Sequence, residues 1–374
     1  MAKRGVRIGL IGSGFMGRAH ALGYATAARV FDLPVEPVLA VLADVTEEAA
    51  RRAAESLGFA RATADWRGML AEVDVVSIAA PNALHKEMAL AAVAAGRHVH
   101  CEKPLAPSHA DCQEMARAAR AAGVVTQVGF NYLCNPMLIA ARDIVRGGEI
   151  GEPVSYRGIH AEDYMADPDA PWSFRHDPAG GGALADIGSH ALATAEFLCG
   201  PVARVRGELV TVIPERPDGR GGRRAVEVDD IARAHLRFAS GATGSVEASW
   251  VATGRTMQHD VEVYGTRGAL LFTQERFNEL HLYASDDPLG RRGFRRIEAG
   301  PAHPPYGRFT PAPGHQIGFN DLKAAEMAGF LSAVASGGPE PFGFAAGAGV
   351  QGLVEAIGRS SREGGWVEAP AASA

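Results

Sequence analysis

Three glycines, a carboxylate and an imidazole lie close together near the middle of the chain, between Gly180 and His190. Asp186 and His190 are four residues apart, so on a helix they stand one turn above the other on a shared face. A carboxylate that orients an imidazole is suited to acid–base chemistry, and consecutive glycines let a backbone come close to a ligand. Taken alone, however, an Asp/His pair is more often an ordinary solvated helix face.

The apolar residues of the same stretch indicate which side of that helix is buried. They fall on one stripe, roughly opposite Asp186 and His190, and comprise Leu184, Ile187, Ala191, Ala195 and Leu198. Phe197 falls on the polar face, which suggests that something covers that face. The pattern therefore leaves a solvated surface and a covered acid–base site as two open interpretations.

A second reactive side chain is Lys103, which follows a short β-like run ending at Cys101 and precedes Pro104. Ligands of open α/β sheets lie beyond the carboxyl ends of the strands, so a lysine at this place can reach a substrate hydroxyl. The alternative is a solvated loop lysine. The same argument draws attention to Asn131, which follows the next strand-like run.

A glycine turn stands between an apolar run at Val6–Ile11 and an alanine-rich helical pattern at Arg18–Ala28. This order of strand, glycine turn and helix is the dinucleotide-binding fingerprint, in which the helix N-terminus faces a pyrophosphate. The residues of the turn are Gly12, Ser13, Gly14, Phe15, Met16 and Gly17. We therefore expect a nicotinamide dinucleotide at the N-terminal edge of the first helix.

Asp44 ends the second predicted strand, Val38–Ala43. An acidic residue there can accept hydrogen bonds from both ribose hydroxyls of the adenosine. It also argues against NADP, because a carboxylate about 4 Å from a 2′-phosphate would cost on the order of a few kcal/mol even at an effective dielectric of 20. The alternative role is an N-cap for the helix predicted at Thr46–Leu57.

The first third of the chain alternates between strand-like and helical patterns, which describes a doubly wound parallel sheet. After Gly148 the pattern changes to a long polar loop at Glu162–Asp177 and then to β-patterned runs with few helices between them. These runs predict one broad antiparallel or mixed sheet with an open face that meets another subunit. In the loop, Trp172 and Arg175 are candidates for a sugar platform, and His315 is a later candidate for the same pocket.

Composition narrows the remaining function classes. The chain has 374 residues, 47% hydrophobic and 21% charged, with a net charge of −6 and only one short basic cluster, at Arg291–Arg296. We therefore expect no nucleic-acid partner, no metal site and no membrane span. Four cysteines without paired spacing favour reduced thiols and a cytoplasmic location.

The motifs taken together resemble the glucose–fructose oxidoreductase/inositol dehydrogenase/rhizopine-catabolism (Gfo/Idh/MocA) family. The matching residues are Gly12 to Gly17, Ala80-Pro81-Asn82 with His85, Glu102-Lys103-Pro104, and Gly180 to His190. The resemblance implies a Rossmann domain, taken as residues 1–131. It also implies a C-terminal α/β domain at 132–374, with a large, open-faced, mostly antiparallel sheet used in a homodimer or homotetramer.

The same resemblance implies NAD as cofactor and a sugar or polyol substrate. It assigns catalysis to Lys103, Asp186 and His190, and it places Asn82 and Glu102 beside the nicotinamide half of the cofactor. The segment 162–168, which contains Tyr164, resembles members that act on inositols, levoglucosan or glucosides.

The expected reaction is hydride transfer between a secondary hydroxyl and nicotinamide, with His190 as base, Asp186 orienting it and Lys103 polarising the oxygen. Two alternatives remain at this stage: an NAD-dependent glycoside hydrolase and a catalytically silent, nucleotide-bound regulator of the same fold.

Overall fold

The computed structural model describes residues 3–338 and 342–370, and the chain divides into two compact units. The first unit contains the residues up to Cys134 together with Ile317–Ala348. The second contains Asn135–Gln316 and the residues from Gly349 onward.

The first unit is built on a parallel sheet with six described strands. In spatial order they are Arg61–Thr63, Val35–Ala43, Arg4–Ile11, Val75–Ile78, His98–Cys101 and Thr126–Val128. The chain starts in the interior of the sheet, builds outward to one edge and then crosses over to build the other half. This is the strand order of dinucleotide-binding folds, so the predicted doubly wound sheet is confirmed.

The first unit also contains α-helices, and one of them, His109–Ala122, has typical capping residues at both ends. The helices are Phe15–Val30, Glu47–Leu57, Trp66–Met69, His85–Ala94, His109–Ala122 and Phe319–Ser336. Ser108 accepts a hydrogen bond from the Asp111 amide, and Gly123 closes the same helix in the left-handed conformation. Both are standard ways to satisfy the unpaired backbone groups at helix ends.

The helix Phe319–Ser336 belongs to the first unit, although the sequence placed it in the second domain. Its apolar side chains, Met327, Phe330 and Leu331 among them, join one core cluster with Val6 and Tyr24. Helical periodicity shows that such a helix is buried, but it carries no information about which sheet buries it.

The second unit contains a mixed sheet with nine described strands. In spatial order they are Arg295–Glu298, Glu279–Ala284, Gly268–Thr273, Gln258–Gly265, Pro153–Ala161, Thr243–Ser249, Ile231–Phe238, Val202–Val210 and Val367–Glu368. Pro153–Ala161 and Thr243–Ser249 run parallel, and the other recorded pairs are antiparallel. The predicted mostly antiparallel sheet is confirmed.

One face of this sheet is covered and the other is exposed. Along Ile231–Phe238 the buried residues alternate with exposed Arg233, His235 and Arg237, as expected for a strand with one wet face. The unit also contains the helices Pro136–Arg146, Ser189–Cys199 and Tyr306–Phe309, and a last helix runs over Phe344–Glu363. Glu215–Pro217 and Arg223–Ala225 pair as a small antiparallel hairpin.

Within the described residues, no helix is long and apolar enough to cross a membrane. Nor does any group of three or more His, Cys, Asp or Glu side chains in that part of the chain form a site for a metal ion. The four cysteines are free thiols.

A buried tyrosine ties the covered face of the sheet to the helix that carries His190. Tyr156 lies in the central strand Pro153–Ala161, and its hydroxyl donates to the carbonyl oxygen of Ala191 at 3.1 Å. We expect Tyr156→Phe to lower the free energy of unfolding by about 1 kcal/mol, because this buried hydrogen bond to the Ala191 carbonyl oxygen is lost. Urea denaturation measures this change.

Tyr283→Phe is the matched control, since this half-buried tyrosine packs its ring against Phe294. We expect its unfolding free energy to stay within about 0.5 kcal/mol of the wild type. Equal losses in the two variants would show that the Tyr156 hydroxyl contributes nothing specific.

Candidate active-site residues

The glycine turn of the first unit fits a dinucleotide. A Cβ at Gly17 would lie 2.0 Å from the carbonyl oxygen of Gly12, so only glycine lets the helix pack this close to the strand. Gly12 has φ +91, and a Cβ there would meet the Ala79 carbonyl oxygen at 2.8 Å. Gly14 faces open space and leaves the first turn of Phe15–Val30 without a side-chain cap. Those amide groups are therefore available to an anion.

Asp44 anchors this turn as well as ending the second strand. Its Oδ2 accepts a hydrogen bond from the Ser13 amide at 3.0 Å and another from the Ser13 hydroxyl, and its Oδ1 accepts from Val45 N at 2.7 Å. The N-cap of Glu47–Leu57 is Thr46, whose side chain accepts from Ala49 N. The alternative that made Asp44 the cap is therefore wrong, because the N-cap lies two residues later, at Thr46.

Two other residues of the turn differ in exposure. The Phe15 side chain is largely exposed and stacks on Phe319 with 5.6 Å between ring centroids. Met16 is half-buried.

His85 joins two of the predicted strand-end turns. Its Nε2 lies 2.8 Å from the Ala80 carbonyl oxygen and its Nδ1 lies 3.0 Å from the Pro104 carbonyl oxygen. Burial lowers the pKa of His85, and a neutral ring carries one N–H, so it donates to one of these carbonyls at a time. The backbone of Ala80, Pro81 and Asn82 is thereby tied to the turn that contains Lys103.

Among the predicted cofactor residues, Asn131 has a hydrogen-bond donor that is free to bind a ligand. It is buried, and its Nδ2 has no hydrogen-bond partner among the described residues. A buried amide nitrogen without a partner is costly unless a ligand satisfies it. This orphaned donor supports a bound group at the edge of the sheet.

Glu102 is buried beside Lys103. Its Oε2 accepts a hydrogen bond from the Lys103 amide at 3.1 Å, while its Oε1 contacts His20 Nε2 at 2.8 Å and Lys323 Nζ at 2.6 Å. The sequence prediction missed His20 and Lys323. A lysine and a glutamate three residues apart inside the apolar pattern of Phe319–Ser336 were the available signal.

In the second unit, Asp186 and His190 do not lie together on one regular α-helix. A π-helical turn covers Leu184–Gly188 and the α-helix Ser189–Cys199 follows. His190 is buried, and the Asp186 side chain is only 16% exposed, so the solvated-face interpretation is wrong. Single π-helical turns of this kind are frequent at functional sites.

Two of the three glycines are required by contacts within the chain, and their approach to a ligand stays a prediction. A Cβ at Gly180 would lie 2.2 Å from the Phe174 carbonyl oxygen, and one at Gly182 would lie 2.3 Å from Asp229 Oδ1. Asp229 accepts from the Leu184 amide at 2.8 Å, and its carbonyl oxygen accepts from the Ala183 amide at 2.9 Å. The glycines thus allow a buried carboxylate to hold the start of the π-helical turn.

Asp186 gathers two of the predicted substrate residues. Its Oδ2 accepts from the Tyr164 hydroxyl at 2.8 Å and from Arg175 Nε at 2.9 Å. Burial, followed by the charge of Asp186, raises the pKa of Tyr164 above its usual value, so this phenol remains a donor. The loop Glu162–Asp177 is therefore closed onto the carboxylate from two sides.

His190 lies beside two histidines that the sequence prediction missed. Its ring centroid is 5.6 Å from that of His160, which is 4.9 Å from that of His259. His160 Nε2 contacts Glu162 Oε1 at 3.0 Å. Burial, with the charge of His160, holds the pKa of His259 well below its usual value. Alternation along the strands Pro153–Ala161 and Gln258–Gly265 was the available signal, since both histidines occupy inward positions.

The other two predicted substrate residues have different surroundings. Trp172 donates from Nε1 to the Ala225 carbonyl oxygen at 3.3 Å, and the Arg224 guanidinium lies 3.4 Å from its ring centroid. The His315 side chain is exposed, and its carbonyl oxygen accepts from the Tyr306 hydroxyl. Roles for Trp172 and His315 in binding a sugar remain predictions.

Comparison with known proteins identifies the family. Residues 6–130 match the model of an oxidoreductase family with an NAD-binding Rossmann fold, and residues 138–271 match the model of a GFO/IDH/MocA C-terminal domain. A levoglucosan dehydrogenase from Pseudarthrobacter phenanthrenivorans is 40% identical over 99% of this chain and 99% of its own. This chain belongs to the Gfo/Idh/MocA family.

Other members support the same assignment. A solved structure of levoglucosan dehydrogenase in complex with NADH and L-sorbose has a TM-score of 0.96, with 40% identity over 98% of this chain and 99% of that one. A myo-inositol 2-dehydrogenase from Thermotoga maritima is 28% identical over 78% of this chain and 81% of its own. The predictions of an NAD-dependent Gfo/Idh/MocA oxidoreductase and of NAD as its cofactor are confirmed.

The contacts of Asp44 generate a test of cofactor choice. We expect Asp44→Ala to raise the ratio of kcat/KM for NADP to that for NAD by about 10- to 100-fold, because the repulsion of a 2′-phosphate disappears. Steady-state kinetics with both cofactors measure this ratio. Thr46→Ala is the matched control: it removes the helix cap next door and leaves the ratio unchanged. A wild-type preference for NADP would contradict the assignment of Asp44.

The raised pKa of Asp229 predicts that the free energy of unfolding depends on pH. Burial raises its pKa from 3.8 to about 6, so the folded state holds a proton that the unfolded state releases between those values. Below pH 4, the ionisation of Asp229 takes nothing from the free energy of unfolding. As the pH rises through these pKa values the penalty grows, and above pH 6 it reaches about 3 kcal/mol. Asp229→Asn keeps an oxygen for the Leu184 amide without an ionisable proton.

We expect Asp229→Asn to exceed the wild type in unfolding free energy by about 1–3 kcal/mol near pH 8, with the difference vanishing near pH 4. Urea denaturation at several pH values measures it. Asp218→Asn, at an exposed carboxylate whose pKa is lowered by the amides of Arg220 and Gly222, shows no such gain. A difference that does not vary with pH would rule out titration of Asp229 as its cause.

Proposed function

We propose that this protein oxidises a secondary hydroxyl of an anhydrosugar or a related cyclic polyol. The observation that carries the proposal is the cluster of Tyr164 and Arg175 on the Asp186 carboxylate, one turn before His190. A sugar hydroxyl both donates and accepts hydrogen bonds, so charged and phenolic groups of this kind suit it. The identity to a levoglucosan dehydrogenase along the whole chain makes anhydrosugars the first class to test.

The residues divide the work of oxidation between them. Bound NAD supplies the hydride acceptor. His190 takes the proton of the alcohol, Asp186 orients the imidazole and stabilises its protonated form, and Lys103 polarises the oxygen. The burial of His190 supports this role, because a ring shielded from water keeps the position that proton transfer requires.

The loop that supplies Tyr164 and Arg175 supports recognition of a specific ring. The Tyr164 residue is 40% exposed and the Arg175 side chain 38%, so both offer polar surface while one polar atom of each is held by Asp186. Groups already fixed before substrate arrives lose less conformational freedom on binding. We infer that this pair reads hydroxyl positions on the ring.

We also propose that the protein assembles as a homodimer or homotetramer through the exposed face of its mixed sheet. That face carries ion pairs between strands, such as Arg233 with Glu247 at 3.1 Å and Arg157 with Glu262 at 3.4 Å. Because the face carries charges of both signs, its basic and acidic side chains can pair with those of a second copy.

NADH formation tests the proposed function. Purified protein with NAD is supplied in turn with levoglucosan, myo-inositol, glucose and an aryl glucoside, and the absorbance of NADH is followed. We expect turnover with an anhydrosugar or cyclic polyol and a product two hydrogens lighter by mass spectrometry. Release of free sugar from the aryl glucoside without net NADH would point instead to a glycoside hydrolase.

Two variants test the assigned roles. Lys103→Met and His190→Asn should each lower kcat by ~10²–10⁴-fold, because each removes one acid–base or polarising group. NADH binding, followed by fluorescence, should stay within a few-fold of the wild type and acts as the control for folding. Full turnover in both variants would contradict the mechanism.

A further inference from the structure

A set of buried charged residues lies directly behind Lys103 in the first unit. Lys323 Nζ is 2.6 Å from Glu102 Oε1 and 2.8 Å from Glu326 Oε2, and Lys323 is fully buried. His20 contacts the same Glu102 oxygen at 2.8 Å and Ser77 Oγ at 2.9 Å. We call the three ions Glu102, Lys323 and Glu326, together with His20, the buried polar cluster.

The two oxygens of Glu102 connect this cluster to the reactive turn. Oε1 is held by Lys323 and His20, whereas Oε2 accepts the amide of Lys103 at 3.1 Å. Gly129 makes room for this carboxylate, since a Cβ there would lie 2.6 Å from Oε1. A chain of direct contacts therefore runs from the helix Phe319–Ser336 to the backbone of Lys103.

Stability alone does not explain a charge at position 323. Replacing a buried ion pair with apolar residues of similar size is often neutral or stabilising, because the desolvation penalty rivals the attraction. Position 323 lies on a helix whose other buried positions are mostly apolar, so a methionine would fit the pattern. The retained lysine is therefore better explained by what it holds in place.

The protonation states agree with this geometry. Burial alone would raise the pKa of Glu102, but the charge of Lys323 and the hydrogen bond from His20 hold it well below its usual range. Burial and the charge of Lys323 lower the pKa of His20 to about 4, so this ring is neutral at physiological pH. Lys323 is thus the cation that keeps Glu102 a carboxylate.

We propose that Lys323 is a positioning residue, which fixes the Glu102 carboxylate so that this carboxylate fixes the backbone of Lys103. Any effect of Lys323 on turnover rests on the function proposed for Lys103. The effect of Lys323 on the backbone at Lys103 does not depend on that proposed function. Neither part depends on which sugar is the substrate.

The test uses Lys323→Met/Glu326→Gln in the full-length protein, which removes one charge of each sign. Glu326→Gln is the matched control, because it disturbs the same helix and leaves the Lys323–Glu102 contact intact. Hydrogen–deuterium exchange is measured on a peptide that covers Glu102 to Leu105. Pro104 has no amide, so the Lys103 amide is one of very few exchanging groups in that peptide.

We expect the double variant to exchange the Lys103 amide about 10-fold faster, with little change in other peptides of the helix Phe319–Ser336. Glu326→Gln should retain wild-type protection of that peptide. Equal protection in the double variant and in its control would overturn the proposal. So would a uniform rise in exchange across the first unit, which would indicate a purely structural role.

The second readout is the affinity for NADH as a function of pH, followed by fluorescence. Without Lys323, burial raises the pKa of Glu102 above its usual value, so we expect the carboxyl to take up a proton as the pH falls. The titratable groups that face it are Cys101, His20, His85 and Glu326, and His100 Nε2 lies 3.5 Å from Glu326 Oε2. NADH affinity should fall about 10-fold from pH 8 to pH 6 in the double variant, whereas Glu326→Gln retains the wild-type profile. A profile identical in the two variants would overturn the proposal.

If the double variant does not fold, Lys323→Gln/Glu326→Gln replaces it, since its amide preserves a hydrogen-bond donor to Glu102 without the charge. The same pH dependence is expected, and its absence has the same consequence. Failure of every sugar to give NADH would overturn the proposed function but would leave both of these readouts valid.

Discussion

Buried carboxylates that accept backbone amides hold the reactive segments of both units. In the first unit, Glu102 accepts the amide of Lys103 while Lys323 supplies the compensating charge. In the second, Asp229 accepts the amide of Leu184 at the start of the π-helical turn that contains Asp186. A carboxylate gives up water at a high cost, so it is stable in these places only while its hydrogen bonds are complete. Small displacements of either segment are therefore opposed.

A second buried carboxylate of the same unit, Asp230, also holds connecting segments through hydrogen bonds. Asp230 accepts from Trp250 Nε1 at 2.6 Å and from the amides of Val212 at 2.7 Å and Ile213 at 2.8 Å. Backbone amides are fixed by the fold, so each such bond transfers the rigidity of the sheet to a connecting segment. Asp229, the neighbour of Asp230, accepts from the Leu184 amide at 2.8 Å, and burial raises the pKa of Asp229 to about 6.

The elements of the fold were largely predictable from the sequence, because glycine turns, helix caps and apolar periodicity are local signals. Ser108 and Gly123 are residue types typical of the helix start and end that they occupy, and the glycines at positions 12 and 17 are required at the predicted turn. The placement of Phe319–Ser336 was not predictable, since periodicity identifies a buried face and not its partner.

The sequence predicted which residues belong to the candidate site, but it did not predict the contacts that explain several of them. The glycines before Asp186 accommodate the Phe174 carbonyl, which is near in sequence, and Asp229, which belongs to a segment that is distant in sequence. Lys323 is more than two hundred residues from Glu102, and no spacing rule joins them. Long-range polar contacts of this kind depend on the finished packing, so the sequence shows the partners without pairing them.

In the loop Glu162–Asp177, Tyr164 and Arg175 bind the carboxylate of Asp186, so this one carboxylate joins the residues proposed for recognition to those proposed for catalysis. Buried Arg216 binds the carbonyl oxygens of Met165 at 2.6 Å and Asp167 at 2.7 Å, so the backbone beside Tyr164 is fixed from below. Tyr164 and Arg175 then reach Asp186 from a loop that is already ordered. Preorganised groups of this kind can differ between relatives while the acid–base residues stay the same. Differences in substrate among members of the family are therefore best sought in this loop and in its anchor, Arg216.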